Sequence, residues 1–121
     1  MILAIFDTNI IIDYLESGNS KAEKELEKFS NRAISLITYI ELLAGIKRPE
    51  AQLTMRKYLE ENFKVMKVTD DIAEETIVIR RNNKLKLPDS IILATAIVNN
   101  ALLVTRDKSF DREMPTIRVP Y

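Results

Sequence analysis

Four acidic side chains stand where a carboxylate needs a reason: Asp7, Glu41, Asp89 and Asp107. Asp7 follows directly on the apolar run of residues 2–6, and Asp107 follows the apolar run 102–105. Asp89 opens an apolar helical pattern in Leu87-Pro88-Asp89-Ser90, and Glu41 interrupts another over residues 37–46. Each has an ordinary explanation alone. Asp7 caps the helix that follows, Asp89 complements a helix macrodipole, Asp107 belongs to a turn, and Glu41 leans into water beside Thr38 and Gly45. Taken together they suggest more. Ligands of open α/β sheets bind beyond the carboxyl ends of strands, where Asp7 and Asp107 fall. On a helical wheel Glu41 lies beside Ile37 and Ala44, which predicts a buried carboxylate needing a partner, a proton or a metal. Four converging carboxylates repel and raise one another's pKa, and a divalent cation relieves that conflict. The chemistry to expect is metal-assisted hydrolysis of a phosphodiester.

Composition narrows the choice. The chain has 121 residues, of which 46% are hydrophobic, with two glycines and four prolines, as expected of one ordered domain. It contains no cysteine and no histidine, so Ser-His-Asp and Cys-His catalysis are excluded, as is the usual zinc site. The metal must be a hard cation held by oxygen, Mg²⁺ or Mn²⁺. The absence of cysteine suits a cytoplasmic location. No apolar stretch approaches the roughly 20 residues needed to cross a bilayer. Eighteen basic and eighteen acidic residues balance to zero, so any nucleic-acid contact must come from local patches. Arg80, Arg81, Lys84 and Lys86 precede Asp89, Arg106 and Lys108 flank Asp107, and Lys47 and Arg48 follow Glu41. Of these, Arg106, Lys108, Arg81, Lys86 and Lys47 are the candidate nucleic-acid contacts, weighed against a merely solvated charged surface.

The elements that must position the acids alternate. Residues 2–6 read as a buried strand and about 10–16 as a helix after Asp7-Thr8-Asn9. Ser20 is the expected cap of a charged helix, 21–29, to which no chemistry is assigned. A short strand at 33–36 precedes the apolar helix 37–46, and Pro49 opens an amphipathic helix whose apolar face suits a dimer. Residues 63–68 alternate as a strand, and Asp70 or Asp71 caps a helix to about 83. After a linker at 84–88 comes an apolar helix through 98, then strands at 102–105 and 117–119. This order predicts an α/β domain over 1–121, with a central parallel sheet of about four to five strands flanked by helices.

Phe6-Asp7-Thr8-Asn9, residues 35–41 with Gly45, Leu87-Pro88-Asp89-Ser90 continuing to Ala96, and Leu103-Val104-Thr105-Arg106-Asp107 together resemble the PIN-domain family. Within it, they resemble the VapC-like toxin ribonucleases of prokaryotic toxin–antitoxin pairs. The likeness covers essentially the whole chain. It implies an Mg²⁺- or Mn²⁺-dependent endoribonuclease with Asp7, Glu41, Asp89 and Asp107 as its catalytic acids. The metal ligands would be Asp7, Asp89 and Asp107, with Thr8, Asn9 and Thr105 as supporting polar residues. Where many relatives carry a further Asp this chain has Ser109, followed by Phe110 and Asp111, so Asp107 is taken as the fourth acid with Ser109 beside it. The resemblance also implies a homodimer and a cognate antitoxin that blocks the site.

Three rivals stand beside this reading, one of them a nucleotide-binding fold, against which the strand-to-helix turns offer no glycine-rich loop. A phosphotransferase using Asp7 as nucleophile commonly wants a carboxylate two residues on, where this chain has Asn9. A PIN scaffold that binds RNA or protein without catalysis is the rival from another class.

Overall fold

The computed structural model describes residues 1–121. Five strands, β1 (Leu3–Phe6), β2 (Asn31–Ser35), β3 (Lys64–Met66), β4 (Leu102–Val104) and β5 (Ile117–Arg118), form one sheet in the order β3-β2-β1-β4-β5. Every neighbouring pair is parallel, with Ala4 in register with Arg32 on one side and Leu102 on the other. Six helices connect them: α1 (Thr8–Ser17), α2 (Ser20–Lys28), α3 (Leu36–Ala44), α4 (Pro49–Asn62), α5 (Asp70–Asn82) and α6 (Leu87–Val98). None is long and apolar enough to cross a membrane. The expected α/β architecture and parallel sheet are therefore present, with five strands.

Side-chain alternation divides the core between the two faces of the sheet. Ala4, Phe6, Ile34 and Val104 pack with α1, α2 and α4 residues such as Ile10, Leu26 and Leu59. Ile5, Ala33 and Leu103 pack on the other face with Ile72 and Ile79 of α5 and Ile92, Leu93 and Ala96 of α6. Phe6 meets Phe29 and Phe63 edge-on, each at 6.1 Å between ring centroids. The α6 segment is buried on most sides, as its nearly all-round apolar pattern required.

The chain leaves β1 toward β2 and β3, then crosses through α5 and α6 to add β4 on the other side of β1. The order therefore reverses between β1 and β4. At such a switch point the connections diverge from the carboxyl ends of adjacent strands and leave a crevice between them. Asp7 directly follows β1, and Asp107 follows β4 by three residues.

Local capping departs from the sequence expectation at two helices. Asn19, rather than Ser20, caps α2 by accepting from the Lys21 and Ala22 amides. Thr69, rather than Asp70 or Asp71, caps α5 through the Ile72 amide, and both acids lie in its first turn. In each case the side chain with the right reach stands just before the stronger-looking candidates. Gly18 ends α1 in the left-handed region at φ 59°, a conformation that favours glycine. Leu85, within the expected linker, is instead buried in the core, and its carbonyl accepts from Arg80 Nη1 at 2.6 Å.

The charged helix α2 is not merely a solvated face. Glu25 is 5% exposed and receives both Nε and Nη2 of Arg118, at 2.8 and 2.7 Å, with Lys28 Nζ at 3.1 Å. The Arg118 guanidinium holds the Glu25 carboxyl below its usual range. This fork pins α2 to β5, and the Arg118 carbonyl in turn accepts the Thr105 amide at 3.0 Å. Arg118→Ala leaves the buried carboxylate with Lys28 alone. It should lower unfolding free energy by about 2 kcal/mol, read as a reduced urea midpoint. A loss below about 0.5 kcal/mol would show that the pair is not an anchor.

Candidate active site

Asp7 closes β1 and caps α1 at once. Its amide donates to the Val104 carbonyl at 2.9 Å, extending the β1–β4 ladder by one residue. Its side chain turns into the crevice and is only 4% exposed. Oδ1 accepts the Thr8 amide at 2.8 Å, and Oδ2 accepts the Thr105 hydroxyl at 2.7 Å and Asn9 Nδ2 at 3.2 Å. Thr105 thus donates to Asp7 while its Oγ1 accepts the Asp107 amide at 3.0 Å. One hydroxyl ties the acid after β1 to the loop after β4. Thr8, Asn9 and Thr105, expected as supporting polar residues, all hydrogen-bond to Asp7.

Burial pushes the Asp7 pKa up from 3.8 to about 6. The Thr105 and Thr8 hydrogen bonds oppose that shift, and the charges of Asp89 and Asp107 add to it. Asp89, in the first turn of α6, is raised by its own burial and then by Asp107 and Glu41, with Lys86 pulling the other way. Ser90 fixes this first turn by donating to the Lys86 carbonyl at 2.9 Å. Asp107 is half-buried, and its Oδ1 accepts the Ser109 amide at 2.9 Å. The four acids therefore share one electrostatic field, although they come from four separate segments.

Glu41 requires a correction. It is exposed, not buried, because α3 presents that side to water between Ile40 and Gly45. It is held by a different device: Thr8 Oγ1 donates to Glu41 Oε1 at 2.8 Å and lies 3.1 Å from Thr38 Oγ1. The wheel placed Glu41 correctly beside apolar neighbours but could not show that α3 reaches the rim of the site. A second correction concerns convergence. No three carboxylates stand close enough together to chelate one ion as they lie.

The charges of Asp7, Asp89 and Asp107 oppose one another and are those a cation would offset, and their carboxylates offer it oxygen. A hydrated Mg²⁺ needs only one or two protein carboxylates, the remainder of its shell being water. The donor set thus fits a hard divalent cation. Asp111 does not compete for the fourth place: it is exposed and turns back to accept the Glu113 amide at 3.0 Å. Ser109 is exposed and meets Asp107 through its backbone rather than its hydroxyl.

The basic residues separate on inspection. Lys86 lies near enough to act on Asp89. Arg106 is committed to Asp13, with Nε and Nη2 at 2.6 and 3.0 Å from its two carboxylate oxygens. Arg48 pairs with Glu50. Lys47, Arg81 and Lys108 are exposed and make no ion pair. Asp13 was not singled out from the sequence. Its position one helical turn beyond Asn9 was the available signal, since side chains four residues apart share a helix face.

Residues 4–113, which include the five-stranded parallel sheet up to β4 and all four candidate acids, match the PIN domain family. The chain belongs to that family. It is similar to Ribonuclease VapC1 of Methanocaldococcus jannaschii, with 28% identity over 114 residues, covering 89% of this chain and 79% of that protein. A chain in a solved toxin–antitoxin complex from Klebsiella pneumoniae is 42% identical, with a TM-score of 0.87 and 98% of each chain covered. FitAcB from Neisseria gonorrhoeae shares the fold, at 22% identity and a TM-score of 0.79 over 97% of each chain.

The raised Asp7 pKa has a defined consequence for stability. The folded state holds this proton more tightly than the unfolded chain does. The resulting stabilisation is full below about 3.8 and is lost as pH rises through about 6. Above that range the metal-free protein bears the cost of a buried charge. Asp7→Asn should therefore be more stable than wild type by about 1 to 3 kcal/mol near pH 7.5 in EDTA, with the gap closing toward pH 4. Urea unfolding across that range measures it, and a difference independent of pH would contradict the assignment.

Proposed function

We propose that this chain is a metal-dependent endoribonuclease that hydrolyses RNA phosphodiester bonds, the toxin of a type II toxin–antitoxin pair acting in the cytoplasm. The observation that carries the reading is the buried Asp7 carboxylate at the β1/β4 switch point, raised by burial and by Asp89 and Asp107. Its likeness to Ribonuclease VapC1 supports RNA as the substrate.

In this reading Asp7, Asp89 and Asp107 would share a hydrated Mg²⁺ or Mn²⁺, one or two of them binding it directly and the rest through its water shell. When bound, such a cation supplies an acidified water and neutralises charge on the phosphoryl oxygens. The residues of the chain do the rest. Thr8 and Thr105 fix the two oxygens of Asp7, so that its carboxylate meets the ligand in one orientation. Thr105 also sets the approach of Asp107 through its amide. Glu41, exposed and steadied by Thr8, would accept a proton from the attacking water. Lys86 offsets the negative field through which an RNA phosphate must approach.

The partner is a cognate antitoxin, and the toxin itself is a homodimer. An open apolar groove between α1 and α4, lined by Leu15, Ile46, Ala51, Met55 and Tyr58, suits a partner segment. Leu15, Ile46 and Met55 also border the hollow that contains Glu41. An antitoxin seated there would reach the catalytic rim. The similarity to a chain of a toxin–antitoxin complex supports an antitoxin as the partner.

Purified protein should cleave single-stranded RNA with Mg²⁺ or Mn²⁺ and not in EDTA. Asp7→Asn and Asp89→Asn should each lower the rate by about 100-fold or more while remaining folded by circular dichroism, an effect of the size expected when a transition-state charge contact is lost. Wild-type rates in both variants would sink the ribonuclease reading. Absence of cleavage alongside tight RNA binding would favour the non-catalytic scaffold.

A further inference from the structure

The loop after β4 has two sides. Thr105 points inward to Asp7, while Arg106 and the residues beyond it border a separate cavity of about 160 Å³. Its lining is Arg106, Asp107, Lys108, Arg112, Val119 and Tyr121. Three of these six are cations and one is an acid, an imbalance absent from the chain as a whole.

One wall is fixed before any ligand arrives. Asp13 receives the Arg106 fork on both oxygens, and the Tyr121 hydroxyl donates to its Oδ2 at 2.6 Å. The Arg106 amide also points to Asn9 Oδ1 at 3.5 Å, tying the wall to the helix that Asp7 caps. Asp13 neutralises Arg106, so Asp107 is left facing Lys108 and Arg112. Neither of those two makes an ion pair, and both are exposed. The cavity thus keeps a net charge of +1 on counting Asp107, Lys108 and Arg112. It is several times the roughly 30 Å³ share of one water, room for a phosphate and adjoining sugar atoms.

We propose that this cavity binds the phosphate neighbouring the scissile one on the RNA strand, with Lys108 and Arg112 as its cations and the Arg106–Tyr121 wall as its rigid side. The inference rests on the ribonuclease reading and adds a subsite to it. Continuity decides the ligand. Asp107 lines this cavity and also acts on Asp7 and Asp89, so a strand with one phosphate at the acids has the cavity beside it for the next. A preorganised wall also spares the ordering cost of a flexible one. Its contribution is to substrate affinity and register rather than to bond cleavage.

The test uses an end-labelled, mixed-sequence single-stranded RNA. Cleavage is followed with Mn²⁺, and binding by fluorescence anisotropy in EDTA over a range of salt. Lys108→Ala/Arg112→Ala should raise KM and Kd by about 10-fold, leave kcat within about twofold, and flatten the salt slope by about 1. Lys57→Ala/Lys64→Ala makes the same charge change near β3, on the far edge of the sheet, and should match wild type. Wild-type KM and salt slope in the Lys108/Arg112 variant, with wild-type cleavage intact, would overturn the subsite and leave the nuclease standing. Equal losses in both double variants would also overturn it, as a bulk charge effect. A wild-type protein that neither cleaves nor binds RNA would remove the ribonuclease reading and the subsite with it.

Discussion

A carboxylate removed from water beside two others is the constraint on which this structure depends. Asp7 is 4% exposed, and its ionised form is opposed first by burial and then by Asp89 and Asp107. Left alone, such a group takes up a proton or waits for a cation. The hydrogen bonds from Thr8 and Thr105 do not abolish the conflict; they fix the direction in which it can be relieved. The fold sustains this cost through ordinary means: two apolar layers around a parallel sheet, and a ladder that continues from Val104 to the Asp7 amide.

Support for the site reaches a long way from it. The Glu25–Arg118 fork fixes β5 to α2, the Arg118 carbonyl holds the Thr105 amide, and the Thr105 hydroxyl holds Asp7. The Asp13–Arg106–Tyr121 cluster braces the same loop from outside. Both ion-pair anchors lie at β4 and β5, the strands added after the switch point. Those strands are short, three and two residues. Side-chain links supply the rigidity that so few ladder bonds cannot.

What was legible in the sequence followed from periodicity. Continuous apolar runs gave β1 and β4, and the nearly all-apolar segment gave the buried α6, because burial on both faces leaves no polar alternation to misread. Asp7, Asp89 and Asp107 were visible as acids at the ends of such runs. The helical wheel implies burial of Glu41, whereas α3 leaves it exposed, where the Thr8 hydroxyl meets it. The caps at Asn19 and Thr69 lie one or two residues before the expected ones, since several capping side chains stand in a row and only backbone geometry selects among them. Glu25 and Tyr121 could not be read at all, and Asp13 offered only its place one turn beyond Asn9, because their partners lie 93 to 108 residues away. The strand order brings those partners together, and no local pattern encodes it.

The most direct test of the central claim is an NMR titration of the Asp7 carboxyl carbon in the isotopically labelled protein, without metal and with Mg²⁺. A midpoint near 6 in EDTA that moves down when Mg²⁺ is added is the result expected of a desolvated carboxylate relieved by a cation. An ordinary midpoint near 4 that is indifferent to Mg²⁺ would contradict it, and Asp7 would then be a helix cap and nothing more.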